Sequence, residues 1–258
     1  MNKKLIEELA TAVVSINDNK ALLELARVVL EDYQQVNEEE ESPFIYKDND
    51  ITGISKILSG SVIIPNKIDG ESITGIADKA LAHVKGLQGR AVDKITSYII
   101  APGIKSIGKL AFSGSPSLKT VTIPDSLEII GDSAFYSCYH LESIHFSDNI
   151  IEIDNAVCGQ CPKLETVTLP SKLQIIRKMA FVGDRALDNV TIPSSVHLIE
   201  GMAFAGCSNL KNVYFKGDAP KLDRAVFSRC NPELVIHHTK GSKGFDKDEW
   251  VEFKKSEK

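Results

Sequence analysis

Two cysteines separated by two residues, Cys158-Gly159-Gln160-Cys161, give this 258-residue chain its one segment with the spacing of a thiol–disulfide exchange site. That chemistry needs an exposed thiolate of low pKa, which helix N-termini and neighbouring cations supply. A second candidate is His237-His238, with Cys230 seven residues upstream of the first histidine, a donor set that could begin a metal site. No second pair with ligand spacing accompanies it, and His140 and His145 do not supply one. The sequence contains no Gly-rich phosphate loop, nucleophile elbow or HExxH motif. It therefore predicts no metal, no cofactor and no enzyme, with thiol redox chemistry at Cys158 and Cys161 as the remote alternative.

What argues for packing instead is the place of these cysteines in a larger pattern. Phe112, Phe135, Cys158, Phe181, Phe204 and Phe227 stand on a grid of 23 residues. Just before each is a small residue: Ala111, Ala134, Val157, Ala180, Ala203 and Val226. Five before it is an aliphatic one: Ile107, Ile130, Ile153, Ile176, Ile199 and Leu222. Nine after it come Val121, Ile144, Val167, Val190, Val213 and Ile236. Columns in register at such a period are the mark of one supersecondary unit copied and stacked into a solenoid. Cys138, Cys161, Cys207 and Cys230 form a further column, three residues after the aromatic, and read as small buried hydrophobes between turns. Five cysteines cannot all pair within one chain. Cys138 and Cys161, one turn apart, would lie about 5 Å from each other at strand spacing, within reach of a bridge. Cys158 leaves a small side chain in a Phe-sized place, so Cys158→Phe is expected to be tolerated or stabilising.

The unit is clearest from Ser117 to Pro124. Leu118, Val121 and Ile123 point inward, the last two alternating about Thr122 as a strand requires. Pro124, Pro170 and Pro193 end the strand because proline has no amide hydrogen for the ladder. The column that begins Gly108 and Gly131 continues as Asp154, Arg177, Glu200 and Asp223, so it demands no left-handed backbone and is expected to face solvent. Between the inward strand residues, Thr122, His145, Thr168, Thr191, Tyr214 and His237 must face outward, flanked by Lys119, Glu142, Glu165, Asp188 and Lys211. Stacked strands turn these columns into stripes across one sheet face, the kind of extended surface with which solenoids bind partners. Lys119, Thr122, Glu142, His145, Thr168, Thr191 and Tyr214 are the candidate protein-binding residues, with the rings of His145 and Tyr214 as anchors. The bland alternative assigns Thr to strand propensity and the charges to solubility.

Residues 1–41 read as a helical hairpin and an acidic linker. Leu5, Leu9, Val13 and Ile16 share one helical face, and Leu22, Leu25, Val29 and Tyr33 another, with Asn17-Asp18-Asn19 between them. Two such helices must pack on the solenoid, on a partner, or on a second copy, so a homodimer through residues 1–36 is one expectation. Residues 42–100 form an irregular N-terminal cap and first repeats, 101–236 the regular repeats and 237–258 a C-terminal cap. In the irregular part Ser61-Val62-Ile63-Ile64-Pro65 resembles the later strand, and Ile76 to Leu81 matches Ile107 to Phe112 at an offset of 31 residues, with an insertion around 83–93. Hydrophobic content of 43%, charged content of 25% and a net charge of −5 are those of an ordinary soluble protein and give no reason to expect nucleic-acid binding. No apolar run reaches membrane-spanning length. Glu7 and Glu8 interrupt what would be the apolar core of a leader, so a cytoplasmic protein is expected, with a surface or secreted one as the alternative should a leader precede Met1.

The pattern LxxVxIPxSLxxIGxxAFxxC resembles the BspA-type leucine-rich repeats of bacterial and some protist proteins. The lead-in from Ser61 to Leu81 is similar to that family's first repeats, and the tail from Ile236 through Gly241-Ser242 to Trp250 and Phe253 is similar to its terminal cap. The resemblance spans about residues 44–253. It implies a leucine-rich-repeat solenoid, a right-handed α/β but β-rich superhelix, here with an N-terminal helical hairpin. It also implies a protein-binding role: an intracellular interaction or scaffold protein, or an adhesin that binds host or matrix proteins.

Overall fold

The computed structural model describes residues 42–83, 92–251 and 253–257. The expected helical hairpin and linker, with the homodimer proposed through it, and most of the insertion lie outside these residues. The chain winds into stacked turns, each contributing a strand to one sheet face, a short strand to a second, and a return limb of β-turns. The first face carries Ser59–Ile64, Lys94–Ile100, Thr120–Thr122, Ser143–His145 and Thr166–Thr168 in one parallel sheet. Asn189–Ile192, Asn212–Phe215, Val235–His238 and Lys254–Glu257 form a second sheet that continues it. Neighbours pair one repeat apart, as Ile144 with Val121 and Val167, and Val213 with Val190 and Ile236. The second face is built from two-residue strands such as Ser106–Ile107, Ile129–Ile130 and Ile175–Ile176. The offset of 31 residues also holds, since Gly75 and Ile76 pair with Ser106 and Ile107. The α/β character expected from the sequence reduces, among the described residues, to one helical stretch at Asp248–Val251.

The return limb is not helical because its amides alternate between two directions. Leu110, Phe112 and Gly114 donate forward to Asp132, Ala134 and Tyr136 of the next turn at 2.8–2.9 Å. The amides between them, of Ala111, Ser113 and Ser115, close β-turns onto Gly108, Leu110 and Phe112. Two columns accordingly take left-handed backbone. One is Leu110, Ser133, Ala156, Met179, Met202 and Ala225; the other is Gly114, Ser137, Gln160, Gly183, Gly206 and Arg229. The Gly108 column is not among them, in line with the side chains it accepts later in the chain.

Both ends are covered. At the N-terminal end Phe44–Lys47 and Asp50–Ile54 form a hairpin through Asp48 and Asn49, both at positive φ as a tight hairpin turn requires. At the other end Lys254–Glu257 adds the last strand, and Phe215, Phe245, Trp250 and Phe253 pack edge-to-face over the final turn. Trp250 is completely buried there.

The core is a stack of rings. Phe112 and Phe135 lie 5.1 Å apart and nearly parallel, Phe181 and Phe204 5.2 Å, and Phe204 and Phe227 5.6 Å. Tyr98 extends the stack 4.9 Å before Phe112. Each such ring contributes about 1.5–3 kcal/mol through burial alone. The stack lapses at Cys158, and the ring of Phe146 meets Phe181 edge-on at 6.4 Å. Phe146 stands in a strand position that holds Ile123, Leu169 and Ile192 in other turns, and a second ring, Phe215, in the turn of Phe227.

The cysteine column has a bonding role as well. The Sγ atoms of Cys138, Cys161, Cys207 and Cys230 donate to the carbonyls of Phe112, Phe135, Phe181 and Phe204 at 3.1–3.3 Å. Asp184 occupies the same column and is fully buried. Its Oδ1 accepts the Cys161 amide at 2.8 Å, while Oδ2 is buried without a partner. Burial pushes the Asp184 carboxyl well above the usual carboxylate range, opposed only by that amide. The folded state therefore keeps a proton that the unfolded chain gives up, so stability falls as pH rises above the ordinary carboxylate value.

Two outcomes follow from this core. Cys158→Phe, with its ring in the place of the missing one, is expected to be tolerated or stabilising; a loss of about 1–3 kcal/mol that Phe146→Ile restores would show that Phe146 occupies that place, and denaturant midpoints of the single and double variants decide. Asp184→Asn keeps the acceptor for Cys161 and removes the titration. Its stability relative to the wild type rises as pH climbs above the unfolded carboxylate value and stays constant below it. A constant difference across pH would refute the protonation account.

Candidate functional site

The two cysteines of the exchange-like segment are both fully buried. Burial and the nearby Asp184 push both thiols well above their ordinary value, so each is neutral where exchange requires a thiolate. All five cysteines are free. The histidine pair is also committed to packing: His237 stacks on Tyr214 at 4.6 Å, and His238 on Phe245 at 4.5 Å. Among the described residues no group of three or more His, Cys, Asp or Glu could hold a metal ion.

The outward columns lie together on the first sheet face. Val121, Ile144, Val190, Val213 and Ile236 are buried, which forces their strand neighbours to the other side. Thr122, His145 and Tyr214 are half-buried, and Thr168 and Thr191 are exposed. His145 Nδ1 and Thr168 Oγ1 are 2.7 Å apart across adjacent turns. Burial lowers the His145 pKa below the ordinary imidazole value, so it is a neutral hydrogen-bonding group at pH 7 rather than a cation. Lys119 and Glu142 form an ion pair of 3.5 Å at the strand entrance, exposed enough to contribute little to stability. Thr122, His145 and Thr168 thus lie on one sheet, with Lys119 and Glu142 at its strand entrances, and Thr191 and Tyr214 lie on the next, which carries a ring pair at Tyr214 and His237.

The face also contains a feature that the columns do not announce. Lys119, Glu142 and Glu165 each donate their amide to the preceding turn, at Thr96, Lys119 and Glu142 (2.8–2.9 Å). Lys211 and Val235 do the same to Asp188 and Lys211 at 2.8 Å. Between Glu165 and Asp188 the bond is missing, and the strands Thr166–Thr168 and Asn189–Ile192 fall into separate sheets. An open cleft of about 530 Å³ lies at this break, lined by Glu165, Thr166, Val167, Ala186, Asp188, Asn189 and Asn209. Val167, alone in its column, is only half-buried. No side-chain type distinguishes this junction, because Glu165 and Asp188 look like any acidic surface pair. The 23-residue spacing continues through it unchanged.

The sequence of residues 105–233, half of the chain, matches the BspA type leucine rich repeat region in six copies. A solved leucine-rich repeat protein of T. pallidum is 24% identical, with 78% of this chain and 87% of that one covered and a TM-score of 0.59. A leucine rich cell surface protein of Faecalibacterium prausnitzii is 23% identical over 67% of this chain and 52% of its own, with a TM-score of 0.50. At these identities the likeness is one of fold. The sequence matches no curated protein. With its period, its stacked aromatic column and its six matched repeats, the chain belongs to the BspA-type leucine-rich repeat family.

Proposed function

We propose that this chain is a non-enzymatic protein-binding module, and that it engages its partner through the first sheet face. The observation that carries the reading is the surface of that face: outward polar columns on a rigid stack, with the rings of His145 and Tyr214 half-buried and held by their neighbours. Rings fixed in this way add contact area with little further loss of side-chain freedom on binding. The family and the fold support an interaction role.

The compartment we favour is the cytoplasm, where five unpaired thiols would stay reduced. The second reading, a surface or secreted adhesin, draws support from the Faecalibacterium relative, which is described as a cell surface protein. Among the described residues no helix is long and apolar enough to cross a membrane. Protease treatment of intact source cells separates the two readings: digestion without lysis supports the surface, and protection until lysis the interior. For the face itself, immobilised wild type is expected to retain a partner from the matching extract that His145→Ala/Tyr214→Ala loses at least about tenfold. Gln174→Ala, outside the face, should retain it. Equal recovery by all three proteins would move the binding surface elsewhere.

A further inference from the structure

The cleft between Glu165 and Asp188 has chemistry of its own. The backbone carbonyl of Glu165 receives no amide, although its counterparts at Thr96, Lys119, Glu142, Asp188 and Lys211 all do. Across the gap the amides of Asp188 and Asn189 have no carbonyl. A parallel sheet opened in this way offers acceptors on one lip and donors on the other, the complement of an extended chain. The gap cannot admit a whole additional strand, which would hold its two edges about 9–10 Å apart at ordinary strand spacing, because residues of the flanking strands still approach within 8 Å of one another.

Charge selects which side chain. Glu165 and Asp188 are both exposed at the cleft, and neither has an ion-pair partner among the described residues. Glu142, the acidic neighbour one turn earlier, is already paired with Lys119. One Asp188 oxygen accepts from the Asn189 side-chain amide, which leaves its other oxygen and both oxygens of Glu165 as acceptors. Together with the Glu165 carbonyl these acceptors call for a cationic group with several divergent donors. A planar guanidinium presents five, whereas an ammonium presents three from a single point. The half-buried Val167 supplies an apolar wall for the methylene stem of such a residue.

We propose that the cleft receives an arginine side chain from an extended segment of the partner protein. The proposal deepens the sheet-face reading above and rests on it, naming the chemistry of one contact on that face. The backbone of the segment lies over the break, with a carbonyl toward the Asp188 and Asn189 amides.

The test uses the whole 258-residue chain and the capped pentapeptide Gly-Thr-Arg-Thr-Gly, with citrulline and lysine analogues, followed by backbone amide shifts. The arginine peptide should move the amides of residues 165–167 and 188–189 in a saturable way. The citrulline peptide, which keeps the shape and loses the charge, should not, and lysine should bind more weakly. Glu165→Gln/Asp188→Asn, both exposed changes that leave the remaining spectrum in place, should weaken arginine binding at least about tenfold, the scale of a lost charge-assisted contact. The proposal is overturned by absence of these shifts, by equal binding of the citrulline peptide, or by retention in the double variant. Calcium chloride alone producing the same saturable shifts would overturn it in favour of a cation site. Arginine-peptide shifts centred on His145 and Tyr214 and indifferent to the double variant would sink the cleft while leaving the sheet-face reading standing.

Discussion

The structure depends on one length. Neighbouring strands hydrogen-bond at about 4.7–4.9 Å, and flat rings stack at about the same distance. A phenylalanine repeated once per turn therefore meets its copy at 5.1–5.6 Å without any adjustment of the backbone. The sheets and the core enforce the same spacing independently, and a solenoid in which both agree has little choice of register. The capped ends follow from the same constraint. A stack that satisfies each turn only through its neighbours must end on something different, here a hairpin at Phe44 and an aromatic cluster around Trp250.

The inner columns show how much variation that spacing admits. Cys158 replaces a ring, and Phe146 supplies bulk from another position toward Phe181. The thiols beside the ring column are not idle filler. Each hydrogen-bonds a carbonyl of the preceding turn, which explains why small polarisable donors recur there. Asp184 in the same place takes the Cys161 amide in a different way and carries an unsatisfied oxygen into the core. Single turns can thus depart from the consensus while the stack on either side holds them.

The outer columns vary for another reason. Nothing in the stack constrains them beyond strand preference, so they are free to carry recognition. The break at Glu165 and Asp188 belongs to this outer layer, yet it is a backbone event. Turns on both sides remain joined through the return limb, where Gln160 and Gly183 still donate forward to Val182 and Ala205. An opening on one face therefore does not divide the solenoid, and a polar cleft can exist in the middle of a continuous core.

The sequence by itself determined the period, the four inner columns, the outward direction of the His145 and Tyr214 column, and the burial of four of the five cysteines. All of these follow from which residue types recur, and recurrence is a one-dimensional property. The offset of 31 residues was legible for the same reason. Only the tertiary structure decided the rest. The alternating amides of the return limb, and the left-handed columns through Leu110 and Gly114, arise from hydrogen bonds between turns that side-chain type hardly records. The edge-on contact of Phe146 with Phe181 required knowing that two distant columns converge. The cleft depended on a carbonyl and two amides that failed to meet, and backbone groups are identical in every residue that carries them.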